Sequence, residues 1–223
     1  MTVKLFFEAI IKFILGVVII GALIFLPAGT FNFLGGWILM GILFVPMFCA
    51  GVLMMIKAPS LLASRLEAKE KEKKQSVVVK LSGLMFILGF VLAGLDFRFG
   101  WIKLPFAVNI VAAIVFIIAY TLYAEVLREN AYLSRTIKVV EGQKVISTGL
   151  YGIVRHPMYF ATILLFLAMP LVLGSLVSFI VFLAYPFIIA ERIKNEEEVL
   201  TRELDGYEEY KKKVKFKIIP FIW

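Results

Sequence analysis

Polar side chains that can take part in chemistry are concentrated in two short segments of a chain that is otherwise strongly apolar. Residues 149–160 read GLYGIVRHPMYF and contain Arg155 and His156, the only histidine of the chain. Residues 191–210 read ERIKNEEEVLTRELDGYEEY and contain Arg192. Both segments border a long apolar run, and charged groups lose hydration next to hydrocarbon, so their presence there indicates a function. Arginine, histidine, carboxylates and tyrosines together can bind a charged small molecule through hydrogen bonds and aromatic faces.

The composition indicates an integral membrane protein. The chain of 223 residues is 61% hydrophobic and 18% charged, with a mean hydropathy of +0.94. Soluble domains average about 45–50% apolar and about 25% charged residues. The net charge of +8 is typical of loops that face anionic lipid, so a nucleic-acid partner is not expected. With one histidine and one cysteine, Cys49, neither an intrachain disulfide nor a metal site is expected. No obligate protein partner is evident from the sequence.

Four apolar segments are long enough to cross a membrane, since a helical span needs about 20 apolar residues. They cover residues 5–26, 33–56, 77–95 and 104–124. A further apolar run, 158–190, would form a straight helix of roughly 50 Å, which exceeds a hydrocarbon core of about 30 Å. Pro170 and Gly174 near its middle predict a break. The run is therefore predicted to form a hairpin of two short helices, 158–172 and 175–190.

Basic residues are concentrated in the connections at one side of these segments. Seven lie in 57–80, five in 125–157 and eight in 191–223, whereas the opposite connections hold only Arg98 and Lys103. Because loops rich in lysine and arginine stay in the cytoplasm, both termini are predicted to be cytoplasmic. The expected location is the plasma or inner membrane of a prokaryote.

The predicted fold class is an all-α integral membrane protein with about six transmembrane segments. The last two segments form a short helical hairpin, and a cytoplasmic carboxy-terminal helix follows them. Residues 1–140 are predicted to form a bundle of four spans, with residues 57–80 as a charged cytoplasmic linker. Residues 141–223 are predicted to form the region that carries the chemistry. A hairpin returns its two ends to the same membrane face, so segments 144–159 and 191–210 are expected to meet.

Six side chains are expected to share one pocket where these segments meet: Arg155, His156, Tyr159, Arg192, Glu196 and Glu197. Such a pocket would be partly aqueous and partly lipid-facing, which suits a reaction between a polar cofactor and an apolar substrate. Simpler interpretations stay open at this point. Arg155 can anchor at lipid headgroups, and His156 before a proline can simply begin a helix. Arg192 and Glu196 are spaced for an exposed helical pair worth about 0.3–0.5 kcal/mol.

At these residues the chain resembles the isoprenylcysteine carboxyl methyltransferase family, which is related to the membrane phospholipid methyltransferases. The shared pattern is a Gly-x-Tyr turn, Arg-His-Pro-x-Tyr, a helical hairpin, Arg-Ile-x-x-Glu-Glu-x-x-Leu, and a tyrosine-rich basic tail. Its members here are Gly149, Tyr151, Arg155, His156, Pro157, Tyr159, Arg192, Ile193, Glu196, Glu197, Leu200, Gly206, Tyr207, Tyr210 and Pro220. The pattern extends from Lys144 to Trp223. Residues 1–140 match the family only in being membrane spans.

The resemblance implies an S-adenosylmethionine site that faces the cytosol. By that resemblance His156 and Tyr159 line the cofactor site together with Arg155, and Glu196 and Glu197 hold its amino or ribose hydroxyl groups. The backbone of residues 145–151, including Val145, Gly149 and Tyr151, closes over it. Methyl transfer needs alignment more than a strong base. A carboxylate acceptor needs only a cation to place it, and Arg192 is predicted to be that catalytic residue.

The resemblance also implies a lipophilic or prenylated acceptor that is drawn from the bilayer and methylated on a carboxylate. Two departures weaken the transfer of the family's prenylcysteine substrate. Ala161 stands where the family often has glycine, and the tail reads Leu204-Asp205-Gly206-Tyr207 instead of carrying an aromatic-Gly pair. N- or S-methylation of a phospholipid or small apolar molecule is therefore the alternative. An NADPH-dependent reductase related to sterol reductases and a non-enzymatic membrane protein are the further alternatives.

Overall fold

The computed structural model describes residues 3–67, 73–134, 136–137 and 139–223, and every regular element within these ranges is helical. The helices are α1 Val3–Ala28, α2 Leu34–Lys57, α3 Pro59–Leu66, α4 Lys73–Phe99, α5 Phe106–Glu129, α6 Pro157–Val172, α7 Leu176–Phe182, α8 Tyr185–Glu203 and α9 Tyr207–Lys213. A single 3₁₀ turn, Gly149–Gly152, precedes α6 within these ranges.

Five stretches in the described part of the chain are long and apolar enough to cross a membrane. They are Val3–Ala28, Leu34–Lys57, Gln75–Phe99, Phe106–Glu129 and Leu176–Glu203. Helix α6 is equally apolar but has only 16 residues. The four predicted amino-terminal spans correspond to α1, α2, α4 and α5, which confirms the all-α membrane class.

The middle of the bundle is an aromatic core. Phe90 of α4, Phe116 of α5 and Phe182 of α7 are almost completely buried in one cluster. Gly89 allows α4 and α7 to pack closely, because a Cβ there would overlap the ring of Phe182. Each large aromatic side chain buries about 150–250 Å² of its surface, so this cluster supplies much of the packing between the helices.

Polar contacts join the helices at the end of the bundle away from the two polar segments. Ser175, which caps α7, donates its hydroxyl to Asp96 of α4 at 2.6 Å. Asn109 of α5 donates to the carbonyl of Val172, the last residue of α6, at 3.0 Å. These bonds fix the turn between α6 and α7 against α4 and α5. The other ends of α4, α5 and α6 therefore meet at the end of the bundle that holds the two polar segments.

The predicted break in the long apolar run is confirmed. Helix α6 ends at Val172, and Gly174 follows with a φ of +76°, a conformation that favours glycine. The second helix of the hairpin differs from the prediction, because it divides into α7 and α8 near residues 183–184. Pro186 has no N–H to donate to the carbonyl of Phe182, which explains this second interruption.

Helix α8 also extends beyond the predicted end at residue 190 and continues to Glu203. The sequence predicts that segment 191–210 follows the hairpin, whereas in the structure most of it directly continues the second helix of the hairpin. Arg192, Glu196 and Glu197 lie on this continuation. Their relative directions are consequently fixed by helical geometry.

The predicted charged linker 57–80 contains helix α3 and the first turns of α4, whereas residues 68–72 lie outside the described residues. Helix α3 is docked against the bundle through buried Leu61 and Leu62. The hydroxyl of Ser64 donates to the carbonyl of Leu133 at 3.2 Å, just beyond α5. This docking places Arg65 of α3 beside the functional region described next.

Candidate functional site

The Arg-His-Pro motif lies at the start of α6, where the carboxy-terminal tail runs along it. His156 precedes the helix and Pro157 occupies its first turn, a position that suits proline. The backbone N–H of Arg155 donates to Phe216 at 2.9 Å, and that of His156 donates to Lys217 at 2.8 Å. Residues 214–217 are thereby held against the motif.

A buried ion pair connects this motif to α8. Nε of Arg155 lies 2.7 Å from Oε1 of Glu197, and Nε2 of His156 lies 3.1 Å from the same oxygen. Nη1 of Arg155 donates to the carbonyls of Val214 and Lys215, each at 2.8 Å. Because all these contacts are internal, Arg155 is not a headgroup anchor. It holds α6, α8 and the tail together.

A second polar connection between α6 and α8 lies beside the first. Nε of Arg192 donates to the hydroxyl of Tyr159 at 2.9 Å, and that hydroxyl donates to a carboxylate oxygen of Glu196. Tyr159 is buried, with 3% of its surface exposed. Arg192 and Glu196 are therefore bridged by a buried tyrosine. This part-buried connection differs from the simple exposed pair that their spacing also allowed.

These side chains border a polar cavity of about 820 Å³, a volume that includes its opening. Its walls come from the segment 130–146, the 3₁₀ turn, the motif, α8 and α9. Of the predicted site residues, the cavity is lined by Val145, Tyr151, Arg155, His156, Tyr159, Arg192 and Glu196. Gly149 and Glu197 lie behind this lining. Gly149 belongs to the turn, and Glu197 faces Arg155 and His156.

The turn over the cavity is held from both sides. Glu129, the last residue of α5, accepts the N–H of Leu150, with its two oxygens at 3.0 and 3.2 Å. On the other side, Tyr210 of α9 donates its hydroxyl to the carbonyl of Tyr151 at 2.7 Å. Gly149 has a φ of +53°, and a Cβ on it would overlap the Glu129 carboxylate.

Replacing Gly149 with alanine is expected to destabilise the protein more than replacing Gly142 with alanine. Both glycines have positive φ, at +53° and +72°, so each substitution carries a backbone penalty of about 1–2 kcal/mol. At Gly142 nothing lies within 4 Å of the new Cβ. At Gly149 the Cβ also displaces Glu129 from Leu150, which should add about 1–3 kcal/mol. Chemical unfolding in mixed micelles measures the difference, and equal losses would contradict this role of the turn.

Tyr207 belongs to the cavity although the sequence analysis gave it no role in binding. Its hydroxyl is buried and has no hydrogen-bond partner among the described residues. Burial raises the pKa of Tyr207, and the nearby carboxylates of Glu197 and Glu196 raise it further. The hydroxyl therefore stays protonated and is available to donate to a bound molecule. The Gly206-Tyr207 pair of the tail is the sequence feature that could have identified Tyr207 as a site residue.

Other cavity residues that the sequence analysis missed come from the loop that follows α5. They include Asn130, Ser134, Thr136 and Gln143. Their residue types are ordinary for a polar loop, and no motif marks them. Only the folding of this loop over α8 reveals them.

A mainly apolar groove lies next to the polar cavity, between α4, α5, α6 and α8. We call it the membrane groove. It has a volume of about 1040 Å³ counted with its open side. Its lining includes Val79 and Phe86 of α4 and Ile189 of α8, with Arg65 and Tyr123 at its polar end. The membrane groove and the polar cavity share four residues, namely Ser134, Met158, Tyr159 and Arg192.

Fold and site together define a helical integral membrane protein with a polar cavity that meets an apolar groove at the ends of its helices. Residues 104–202 match the family model described as the isoprenylcysteine carboxyl methyltransferase (ICMT) family. Residues 104–202 are therefore similar to this membrane methyltransferase family, and the resemblance is confirmed. The match begins earlier than the motifs indicated, since it includes α5, and it ends in α8 before the tail.

One relative has a different activity. The chain is 29% identical over 91 residues to a delta(14)-sterol reductase of Mus musculus. The matched stretch covers 40% of this chain and 22% of the reductase, so the chain spans less than a quarter of that relative. The likeness is confined to one region of both proteins.

Proposed function

We propose that this protein is an S-adenosylmethionine-dependent methyltransferase that acts on a lipophilic acceptor, as in carboxyl methylation of a prenylated cysteine. The observation that carries the proposal is that Tyr159 and Arg192 line both the polar cavity and the membrane groove. A polar methyl donor and an apolar acceptor can therefore approach each other at these two residues. Such alignment is the main requirement of methyl transfer.

The residues of the polar cavity fit this cofactor. Glu196 offers a carboxylate for an ammonium or ribose hydroxyls, and Tyr207 offers an unused hydroxyl donor. When bound, S-adenosylmethionine supplies a methyl group on a sulfonium, and the carbon–sulfur bond breaks with its electron pair left on sulfur. Tyr151, Tyr159 and Tyr207 supply aromatic surface for a cation.

The predicted cofactor residues then divide into two groups. Val145, Tyr151, Tyr159 and Glu196 are expected to contact the cofactor directly, as are the parts of Arg155 and His156 that line the cavity. We expect Glu197 to act through Arg155 and His156, and Gly149 to act through the position of the turn. Substitution of Glu197 or Gly149 should therefore change the shape of the cavity without removing a direct contact with the cofactor.

Arg192 is proposed to position the acceptor. It lies where the groove meets the cavity, and its guanidinium is always charged. A carboxylate acceptor held there already carries the electron pair that forms the new carbon–oxygen bond, so no base is required. An amine acceptor would have to lose a proton, and no cavity residue stands out as its base. Transfer to a phospholipid headgroup or small apolar molecule is the alternative outcome.

We infer that the site faces the cytoplasm and that both termini lie on this side, with six membrane segments between them. Lys57, Arg65 and Arg128 lie at the site end of their helices. Arg98, near the end of α4, and Lys103, in the loop before α5, lie at the other end of the bundle. Loops with more basic residues stay in the cytoplasm. In this arrangement α6 is one span, and α7 with the first turns of α8 forms the next.

Calorimetric titration of the detergent-solubilised protein should show saturable binding of S-adenosylmethionine, and Tyr207→Phe should weaken it about five- to tenfold. The phenylalanine keeps the ring and removes one donor, and a hydrogen bond contributes about 1 kcal/mol net. Tyr210→Phe is the matched control. The Tyr210 hydroxyl is already bonded to the carbonyl of Tyr151, so this variant should loosen the turn and lower stability, and it should weaken binding less than Tyr207→Phe does.

Absence of heat with S-adenosylmethionine, together with saturable binding of a reduced nicotinamide, would reject the proposal. That result would favour the second candidate, a reductase, for which the partial likeness to a delta(14)-sterol reductase is the supporting observation. If the methyl donor binds, transfer of a labelled methyl group to extracted lipids and to prenyl-cysteine analogues identifies the acceptor. Incorporation into a base-labile ester indicates a carboxylate.

A further inference from the structure

Within the part of the chain that the structure describes, one arginine of the membrane groove has a buried donor without an acceptor. Arg65 lies in the last turn of α3, and its Nη2 donates to the hydroxyl of Tyr123 on α5. Its Cζ lies 5.6 Å from the centre of the Tyr123 ring. Nη1 is buried and has no hydrogen-bond partner among the described residues. Leaving a charged donor buried and unpaired is strongly unfavourable, so the position calls for an acceptor that occupies the groove.

The chemistry of the groove matches an amphiphile with a negative head. Two arginines, Arg65 and Arg192, lie at its polar end, and the described lining includes no aspartate or glutamate. Beyond the arginines, apolar side chains supply most of the surface, largely Val78, Val79, Phe86, Phe166 and Ile189, and Ser82, Ser134 and Thr162 also line it. Arginine binds carboxylates and phosphates through paired N–H donors. An apolar chain can occupy the remaining length beside α4 and α8.

We propose that Arg65 binds the oxyanion of an amphiphile in the membrane groove and selects acceptors by the charge of their head. Its role as acceptor selector rests on the proposed function, whereas binding of the amphiphile does not. Arg65 lines the membrane groove but not the polar cavity, while Arg192 lines both. Arg65 is therefore a specificity-determining residue, and its loss changes the affinity for the acceptor and leaves that for the methyl donor intact.

Binding without the methyl donor tests this proposal. The full chain in lipid nanodiscs is titrated with three farnesyl compounds that differ only in the head: a thioether carboxylate, its neutral carboxamide, and farnesyl monophosphate. The wild-type protein should bind one or both anions about ten- to a hundredfold more tightly than the carboxamide, as expected for a hydrogen bond to a charged group. Which anion binds more tightly identifies a carboxylate or a phosphate as the natural head.

Arg65→Gln should reduce the preference for the anion to threefold or less and leave the carboxamide affinity unchanged. Arg65→Lys keeps the charge and should retain part of the preference, which separates loss of charge from a folding defect. Arg128→Gln is the matched control. Arg128 lies at the end of α5, is exposed and pairs with Glu125, so this variant should bind all three compounds like the wild type.

Equal wild-type affinity for the carboxamide and both anions would overturn the proposal, as would an anion preference that survives in Arg65→Gln. These results are independent of S-adenosylmethionine. If the anions bind through Arg65 but no methyl donor binds, the proposed function fails and this site stands. If methyl transfer occurs and Arg65→Gln leaves the acceptor KM unchanged, the proposed function stands and this site fails.

Discussion

Replacing Arg155 with methionine is expected to lower the free energy of unfolding by about 3–5 kcal/mol, because it removes the nearest cation from a buried carboxylate. Glu197 then keeps only His156 and the more distant Nζ of Lys217, at 3.8 Å. The side chains of Arg155 and Glu197 are 7% and 11% exposed, so water screens their interaction little. The same substitution leaves the carbonyls of Val214 and Lys215 without their donor. Chemical unfolding in mixed micelles measures the loss.

Arg202→Met is the matched control for this experiment. Arg202 lies near the end of α8, the helix that carries Glu197. It pairs with Glu203, but its side chain is 64% exposed. Exposed pairs contribute about 0–1 kcal/mol, so this variant should unfold almost like the wild type. Limited proteolysis adds a local test, since Arg155→Met should release the tail from residue 214 onward. Similar losses in the two variants would show that Arg155 is not the connection between α6, α8 and the tail.

Most of the helical architecture followed from the sequence because apolar length and charge position are strong signals. The spans α1, α2, α4 and α5 and the break after α6 were all predicted. The second break was missed because Pro186 lies at a position that also suits the first turn of a helix. From sequence, a proline that ends one helix cannot be distinguished from one that begins the next.

Seven of the nine predicted site residues line the polar cavity, but the pairing of side chains within it did not follow from the sequence. Glu196 and Glu197 are neighbours on α8 and therefore point about 100° apart. Glu196 faces Tyr159 and the polar cavity, whereas Glu197 faces Arg155 and His156. Which glutamate takes which direction depends on the rotation of α8 against α6. That rotation is decided by packing in the bundle and is absent from local sequence.

Residues contributed by distant helices were the least predictable. Arg65 belongs to a stretch with many charged residues, and nothing in its neighbours distinguishes it from the other basic residues there. Its buried contact with Tyr123 depends on the docking of α3 beside α5. Asn130 and Ser134 reach the cavity for the same reason, because the loop after α5 folds toward α8. Tertiary contacts of this kind carry no periodic signal.

Arg192→Gln is expected to lower kcat for methyl transfer about a hundred- to a thousandfold, the usual effect of removing a group that fixes charge at a reacting centre. The affinity for S-adenosylmethionine should change less than about threefold. The reason is that Glu196 and Tyr207 stay in the cavity and Tyr159 keeps its bond to Glu196. Single-turnover transfer of a labelled methyl group gives the rate, and calorimetry gives the affinity of each variant.

Three further variants decide whether Arg192 positions the acceptor or supports the structure of the cavity. Lys194→Gln, an exposed change on the same helix, should leave both rate and affinity unaltered. Tyr159→Phe removes the hydroxyl that joins Arg192 to Glu196, so it should lower kcat less than Arg192→Gln and in the same direction. Added guanidinium should restore part of the rate of an Arg192→Ala variant if the residue supplies only a placed charge. A parallel fall of cofactor affinity and kcat in Arg192→Gln, together with no rescue of Arg192→Ala by guanidinium, would instead assign Arg192 to the support of the cavity.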